Sequence, residues 1–129
     1  MDILSPYEKY KQQSVLAATP AELTLMLFDG CVKFLKQACA FIEAADIEKS
    51  HNNLIKASDI ISELMSTLDT NYKISDNLIS LYIYIHNEIL QANITKDTDK
   101  ISPVIDLISE LRDTWKQAIQ IDRSMRFDD

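Results

Sequence analysis

The sequence predicts an all-α protein, an antiparallel up-down four-helix bundle with a short N-terminal cap segment, and three observations carry that expectation. Apolar residues recur at helical rather than alternating spacing almost throughout. One glycine and three prolines in 129 residues leave little punctuation for hairpins. Four long amphipathic patterns follow one another through connections short enough to make sequential neighbours antiparallel. A chain of this length with 47% hydrophobic residues buries a core without metal or disulfide staples and needs no second domain.

The first helix covers about 20 to 45. Thr19 and Glu22 have the spacing of a capping box, and Pro20 falls at the first helical position, where its missing N–H costs nothing. Leu23, Leu27, Cys31, Phe34, Ala38 and Phe41 form one stripe, and Leu25, Phe28, Val32, Leu35, Cys39 and Ile42 a second beside it, so this helix is central. Gly30, the single glycine, sits inside the pattern at a cost of about 1 kcal/mol relative to alanine. Either close helix packing or the close approach of a bound partner accounts for it.

The second helix begins near Asp46 and places Ile47, His51, Leu54, Ala57 or Ser58, Ile61, Met65 and Leu68 on one face; Asp69-Thr70-Asn71 closes it. The third, with Ser75 as its cap, carries Leu78, Leu81, Tyr82, Ile85, Ile89 and Ala92 on one face and Ile79, Ile83 and Leu90 on another, with no formal charge from Asn77 through Asn87. In the fourth, Ile101, Val104, Ile108, Leu111, Trp115 and Ala118 alternate by three and four, as in a left-handed bundle. Pro103 conflicts with a start at Asp97: either Ser102 is the cap or the helix enters with a kink. Residues 1–18 form a cap segment with Ile3, Leu4, Tyr7, Tyr10, Val15 and Leu16 as apolar anchors, a detachable cover for the bundle of residues 19–121; the polar residues 122–129 form a frayed tail.

Charge and composition exclude several functions. A net charge of −7 without a dense Lys/Arg run opposes binding to nucleic acid and to anionic membrane surfaces. No segment approaches the roughly 20 apolar residues of a membrane span, and the N-terminus has no signal-peptide core, so a cytoplasmic location without membrane insertion is expected. Cys31 and Cys39 lie about 12 Å apart along one helix, too far for a bridge, and read as buried small hydrophobes in a reducing compartment. The Asn93-Ile94-Thr95 sequon means nothing without secretion.

The search for chemistry is negative. Glu48 and His51 have the Glu-x-x-His spacing of a carboxylate-bridged di-iron bundle, but Ile83 precedes His86 at that spacing and no second half-site exists. His51 with Lys56 is the one candidate for a histidine phosphotransfer domain, on a stripe where a packed histidine is the commoner outcome. No nucleophile elbow or phosphate loop is present, so no catalytic residue, cofactor or metal is assigned. What remains is surplus apolar surface on the first and third helices, to be covered by the leader, by a second copy in a structural dimerisation bundle, or by an amphipathic segment of another protein.

The run TPAELTLMLFDGCVKFLKQA resembles the (Thr/Ser)-Pro-x-Glu-Leu-x-x-Met-Leu-(Tyr/Phe)-Asp-Gly segment of the FliS family, the bacterial flagellar secretion chaperones of flagellin. The resemblance continues in order through DIEKSHNNLIKASDIISELMSTLD, NLISLYIYIHNEILQANITKD and ISELRDTWKQAI, and Tyr7, Tyr10, Gln12 and Gln13 suit the family's N-terminal segment. It implies a non-enzymatic export chaperone that binds the C-terminal segment of flagellin, prevents premature polymerisation and delivers it to the type III export apparatus, with an export gate component as second partner. The leader would occupy the same apolar surface when flagellin is absent, and a homodimer of the free protein is also open. Carried over by position, Tyr7 and Tyr10 would cap the groove, and Leu25, Phe28, Asp29 and Gly30 would shape the first helix beside it. Ile79, Tyr82, Tyr84, Ile85 and Asn93 are the contact candidates on the third helix, with core packing as the alternative for each. Leu111 and Trp115 are read as core.

Overall fold

Helix caps, an unusual corner and one interior proline set the limits of four helices in the computed structural model, which describes residues 19–69, 71 and 74–127. They are α1 (Pro20–Glu43), α2 (Ile47–Ser66), α3 (Ile74–Thr95) and α4 (Thr98–Phe127). Each packs on its sequence neighbour, and α4 closes the ring against α1, giving an up-down-up-down bundle.

α1 starts as expected. Thr19 Oγ1 accepts from the Glu22 N–H at 3.2 Å, and Pro20 is the first helical residue. The other half of the box does not form, because the Glu22 carboxylate pairs with Arg123 on α4. α1 ends two residues before the predicted limit, at Glu43, in a Schellman corner. The N–H of Ala45 donates to the Ile42 carbonyl at 3.0 Å and that of Asp46 to the Phe41 carbonyl at 2.8 Å. The left-handed position falls on Ala45, at φ 59°, where glycine is usual. Asp46 then caps α2 by accepting the Lys49 N–H at 3.1 Å, so one residue closes one helix and opens the next.

α3 begins at Ile74, one residue before the predicted cap; the Ser75 hydroxyl, itself buried, donates back to the Asp69 carbonyl and ties down the connection. α4 begins at Thr98, where the Asp97 carboxylate accepts the Asp99 N–H at 2.9 Å. Pro103 therefore lies within the helix, and Ser102 is not its cap. The N–H that proline lacks would have met the carbonyl of Asp99, and both residues are exposed, so the missing bond falls on the solvent side of the helix, where its cost is least. α4 also continues through residues 122–127, read from sequence as frayed, and its contact with the start of α1 explains the extension: the Trp115 indole N–H donates to the Ala21 carbonyl at 2.9 Å, and Arg123 meets Glu22.

The core runs along the bundle axis, with Cys31, Leu35, Leu54, Ile61, Leu64, Ile85, Ile101 and Ile108 sealed from solvent. Burial raises the Cys31 thiol to about 12; Cys39 is half-buried and both thiols are free. Ser50 and Asn53, the buried polar residues of α2, donate to the Ile47 and Lys49 carbonyls at 2.8 Å each. Among the described residues no buried side-chain polar atom lacks a partner.

Candidate functional site

The expected contact residues separate into three groups. Tyr7 and Tyr10 lie outside the described residues. Phe28, Tyr82 and Ile85 are core residues, 2%, 3% and 0% exposed; burial also raises the Tyr82 phenol to about 12. Leu25, Gly30, Ile79 and Asn93 are half-buried, and Asp29 and Tyr84 are exposed. Asp29 pairs with Arg112 of α4 at 3.4 Å. Gly30 faces α2, where an added Cβ would meet Ile60 Cδ1 at 3.4 Å, an ordinary contact distance.

The bundle brings together a surface on the adjoining flanks of α2 and α3, and one polar contact fixes its register. His51 Nδ1 lies 3.0 Å from Asn93 Nδ2, across the two helices. Lys96 donates to Asn93 Oδ1, which marks that oxygen as an acceptor. The Asn93 carboxamide faces His51 Nδ1 with both of its polar atoms, Nδ2 at 3.0 Å and Oδ1 at 3.2 Å, and which of them bonds the ring follows the imidazole tautomer. His51 is thus exposed on the rim rather than packed in the core stripe. Burial lowers the pKa of the Lys96 ammonium.

Apolar side chains line up from that pair by helical spacing. Ile47 and Ile55 flank His51 by one turn on α2; on α3 Leu90 lies one turn before Asn93, Ile94 one turn after Leu90 and about 100° round from Asn93, and Ile83 two turns before Leu90. All five are exposed, from 43% for Ile55 to 68% for Ile94. The intervening positions toward the far end are Ser58 and Ser62 on α2 and Ile79, His86 and Asn87 on α3. Apart from the Lys96 ammonium that meets Asn93 at one end, the strip is apolar or uncharged, and desolvating the rest of it costs little. Tyr84 lies around α3 from it, on the side of Leu81 and Glu88.

Of this surface, the sequence had isolated Ile79, Ile83 and Leu90 as a second α3 face, and Ile79 and Asn93 as contacts. Ile47 was assigned to the core face of α2, and Ile55 and Ile94 were not singled out. The signal was the uncharged run from Asn77 through Asn87.

His51 and Lys56 do not form a pair. The imidazole meets α3, whereas the Lys56 ammonium lies 5.4 Å from the Phe34 ring centroid on α1, the opposite flank of α2. Among the described residues no three His, Cys, Asp or Glu side chains are grouped to hold a metal, and no helix is long and apolar enough to cross a membrane.

The described helices, with their core polar atoms satisfied and a largely apolar strip open between α2 and α3, define an antiparallel four-helix bundle protein. Comparison with known proteins narrows the class. The family model described as flagellar protein FliS matches residues 3–122. The flagellar secretion chaperone FliS of Bacillus subtilis is 46% identical, over 98% of this chain and 95% of its own. That of Salmonella typhimurium is 37% identical, over 82% and 81%. A solved structure described as a flagellar chaperone from bacteria superposes with a TM-score of 0.74, covering 89% of this chain and 98% of its own; at 18% identity it speaks to the fold alone. The chain belongs to the FliS family of flagellar secretion chaperones.

Proposed function

We propose that this protein is a cytoplasmic, non-enzymatic export chaperone that binds the C-terminal segment of flagellin, blocks its premature polymerisation and passes it to the flagellar type III export apparatus, with a gate component as receiver. The observation that carries this reading is the uncharged α2–α3 strip with Ile47, Ile55, Ile83, Leu90 and Ile94 exposed. A chain that is disordered alone and amphipathic when ordered can lay its apolar face into such a groove at i, i+3, i+4 and i+7. Its own assembly surface is then covered while the rest of the client stays unfolded for export. Ile79 and Asn93 contribute from the floor and end of the strip, Leu25, Asp29, Gly30 and Tyr84 from neighbouring surface, and Tyr7 and Tyr10 from the leader. Phe28, Tyr82 and Ile85 support the helices from behind.

Isothermal titration of the purified chain with the C-terminal segment of flagellin from the same organism tests the proposal. Saturable binding near one to one, with a large negative heat-capacity change, is the expected result, because the client folds and buries apolar surface as it binds. No heat, together with no complex on gel filtration, would overturn it. A constitutive dimer that ignores the client would assign the strip to self-association.

A further inference from the structure

On the reading that the α2–α3 strip seats the flagellin segment, we propose that His51 and His86 are recognition residues of that strip, which accept the segment as neutral imidazoles and loosen it on protonation. The chain has two histidines, and the fold sets both along the same surface. His51 meets Asn93 across the two helices. His86 lies two turns before Asn93 on α3, half-buried, with Ile79, Ile83 and Leu90 around it at helical spacing. Because α2 and α3 run antiparallel, two turns back on α3 correspond to two turns forward on α2, which puts His86 level with Ser58.

The surroundings of both rings favour the uncharged form. Among the described residues neither imidazole is paired with a carboxylate. The acids that flank this line on α2, Glu48 and Asp59, are exposed and lie about 60° and 80° round the helix from His51, away from the core. On α3, Glu88 is about 160° round from His86. At the α3–α4 corner the Asp97 carboxylate caps α4 by accepting the Asp99 N–H, and α1 and α4 pack on the other flanks of α2 and α3. The charged group that does face a ring is a cation: Lys96 donates to Asn93 Oδ1, and His51 Nδ1 lies 3.2 Å from that same oxygen. A protonated His51 would donate there too, leaving two cations on one acceptor. A protonated His86 would place its charge among the isoleucines and leucine that the client covers.

When the client lies on the strip it displaces water from both rings, and burial favours the neutral form. A neutral imidazole offers one donor and one acceptor, enough for an uncharged polar group of the segment. Ionised beneath the client, it becomes a buried charge without a counter-ion. Linkage sets the size of the effect. A ring that must be neutral in the complex weakens binding by about tenfold for each pH unit below its titration midpoint.

Titration calorimetry of the full chain with the C-terminal segment of flagellin, at constant ionic strength, tests this at about pH 7.5 and about pH 5.5, a range that brackets ordinary imidazole titration. Wild-type affinity should fall about tenfold or more across that interval. His51→Gln/His86→Gln keeps an uncharged polar group at each position, so it should bind within about threefold of wild type at the higher pH and lose most of the fall. Groups that titrate on the client act on both proteins alike and cancel in the comparison. NMR of the imidazole Cε1–H signals of the wild type reads the same linkage without a substitution: saturation with the client should lower the midpoint of at least one ring by about one pH unit. An equal fall in the double variant, or midpoints that the client leaves unmoved, would overturn the proposal and leave the client reading standing. No binding at either pH would overturn both.

Discussion

Tyr82 and Ile83 are adjacent on α3 but 3% and 48% exposed, so one substitution made at each separates folding from binding. Tyr82→Asp removes an aromatic ring from the core, which costs about 3–5 kcal/mol for a truncation of that size. The new carboxylate would sit unpaired among apolar neighbours, adding about 3–5 kcal/mol more. The sum reaches the whole stability of a typical domain, about 5–15 kcal/mol, so Tyr82→Asp should be largely unfolded. Ile83→Asp forfeits only the covered half of a side chain whose full burial is worth about 2 kcal/mol. It should melt about 3–5 °C below the wild type. In the complex the exposed half would also be covered, so the variant loses about 1 kcal/mol of contact and faces a desolvation penalty of about 1–3 kcal/mol. Affinity for the flagellin segment should then fall at least about tenfold, and about a hundredfold for Ile83→Asp/Leu90→Asp. Circular dichroism melts and titration calorimetry read the two quantities separately. A folded Ile83→Asp with wild-type affinity would refute the placement of the client on this strip. A stable Tyr82→Asp would refute the core assignment.

Gly30→Ala should raise stability by about 0.5–1 kcal/mol, since helix propensity favours alanine and the added Cβ meets Ile60 at ordinary contact distance. Loss of client binding with that gain in stability would show that the partner, not α2, needs the glycine. Ala45→Gly should raise the denaturant midpoint slightly, because relief of a left-handed alanine, about 1 kcal/mol, exceeds the added freedom of the unfolded chain, about 0.4–1 kcal/mol; a lower midpoint would contradict the corner geometry. Cys31 and Tyr82 both have folded pKa values raised to about 12 from 9.0 and 10.0, so their contribution is intact below pH 9 and disappears as pH rises toward 12. Chemical denaturation across that window should show stability falling by up to about 1.4 kcal/mol per pH unit for each group, less steeply in Cys31→Ala; a flat profile would count against burial of both. Removing residues 1–17 should tighten client binding by the reciprocal of the open fraction if the leader competes for the strip, and weaker binding would make the leader a contact instead.

Helix existence was legible because each pattern is long and two starts carry caps, Thr19 and Asp46, that the structure uses. The end of α1 was not, because the corner uses Ala45 where a glycine would have signalled it. The start of α4 was obscured by the cost assigned to Pro103, which is small where the orphan carbonyl faces water. On α2 the core line is Leu54, Ala57, Ile61 and Leu64. Extended back by sevens, that line reaches Ile47, open at the first turn, and Ser50, which is buried; His51 lies one position further round, about 100° from Ser50, on the flank that meets α3. The surface was harder still. Two adjoining faces of α3 are both uncharged, and periodicity cannot say which meets α2 and α4 and which meets water. That depends on contacts made by other helices, so Tyr82 and Ile85 stood beside Ile79 as equal candidates when the packing separates them.

The arrangement also explains how so much apolar surface can stay open. An exposed strip of this kind invites association between copies, but its backbone is helical and offers no strand edge for pairing. The excess of 20 Asp and Glu over 13 Lys and Arg keeps like molecules apart at long range. Charges placed on the strip itself would give the same protection but would have to be desolvated at every binding event. Leaving charge off α3 from Asn77 through Asn87 and collecting it elsewhere separates solubility from recognition, so the surface can take an amphipathic segment without an unpaired charge to bury.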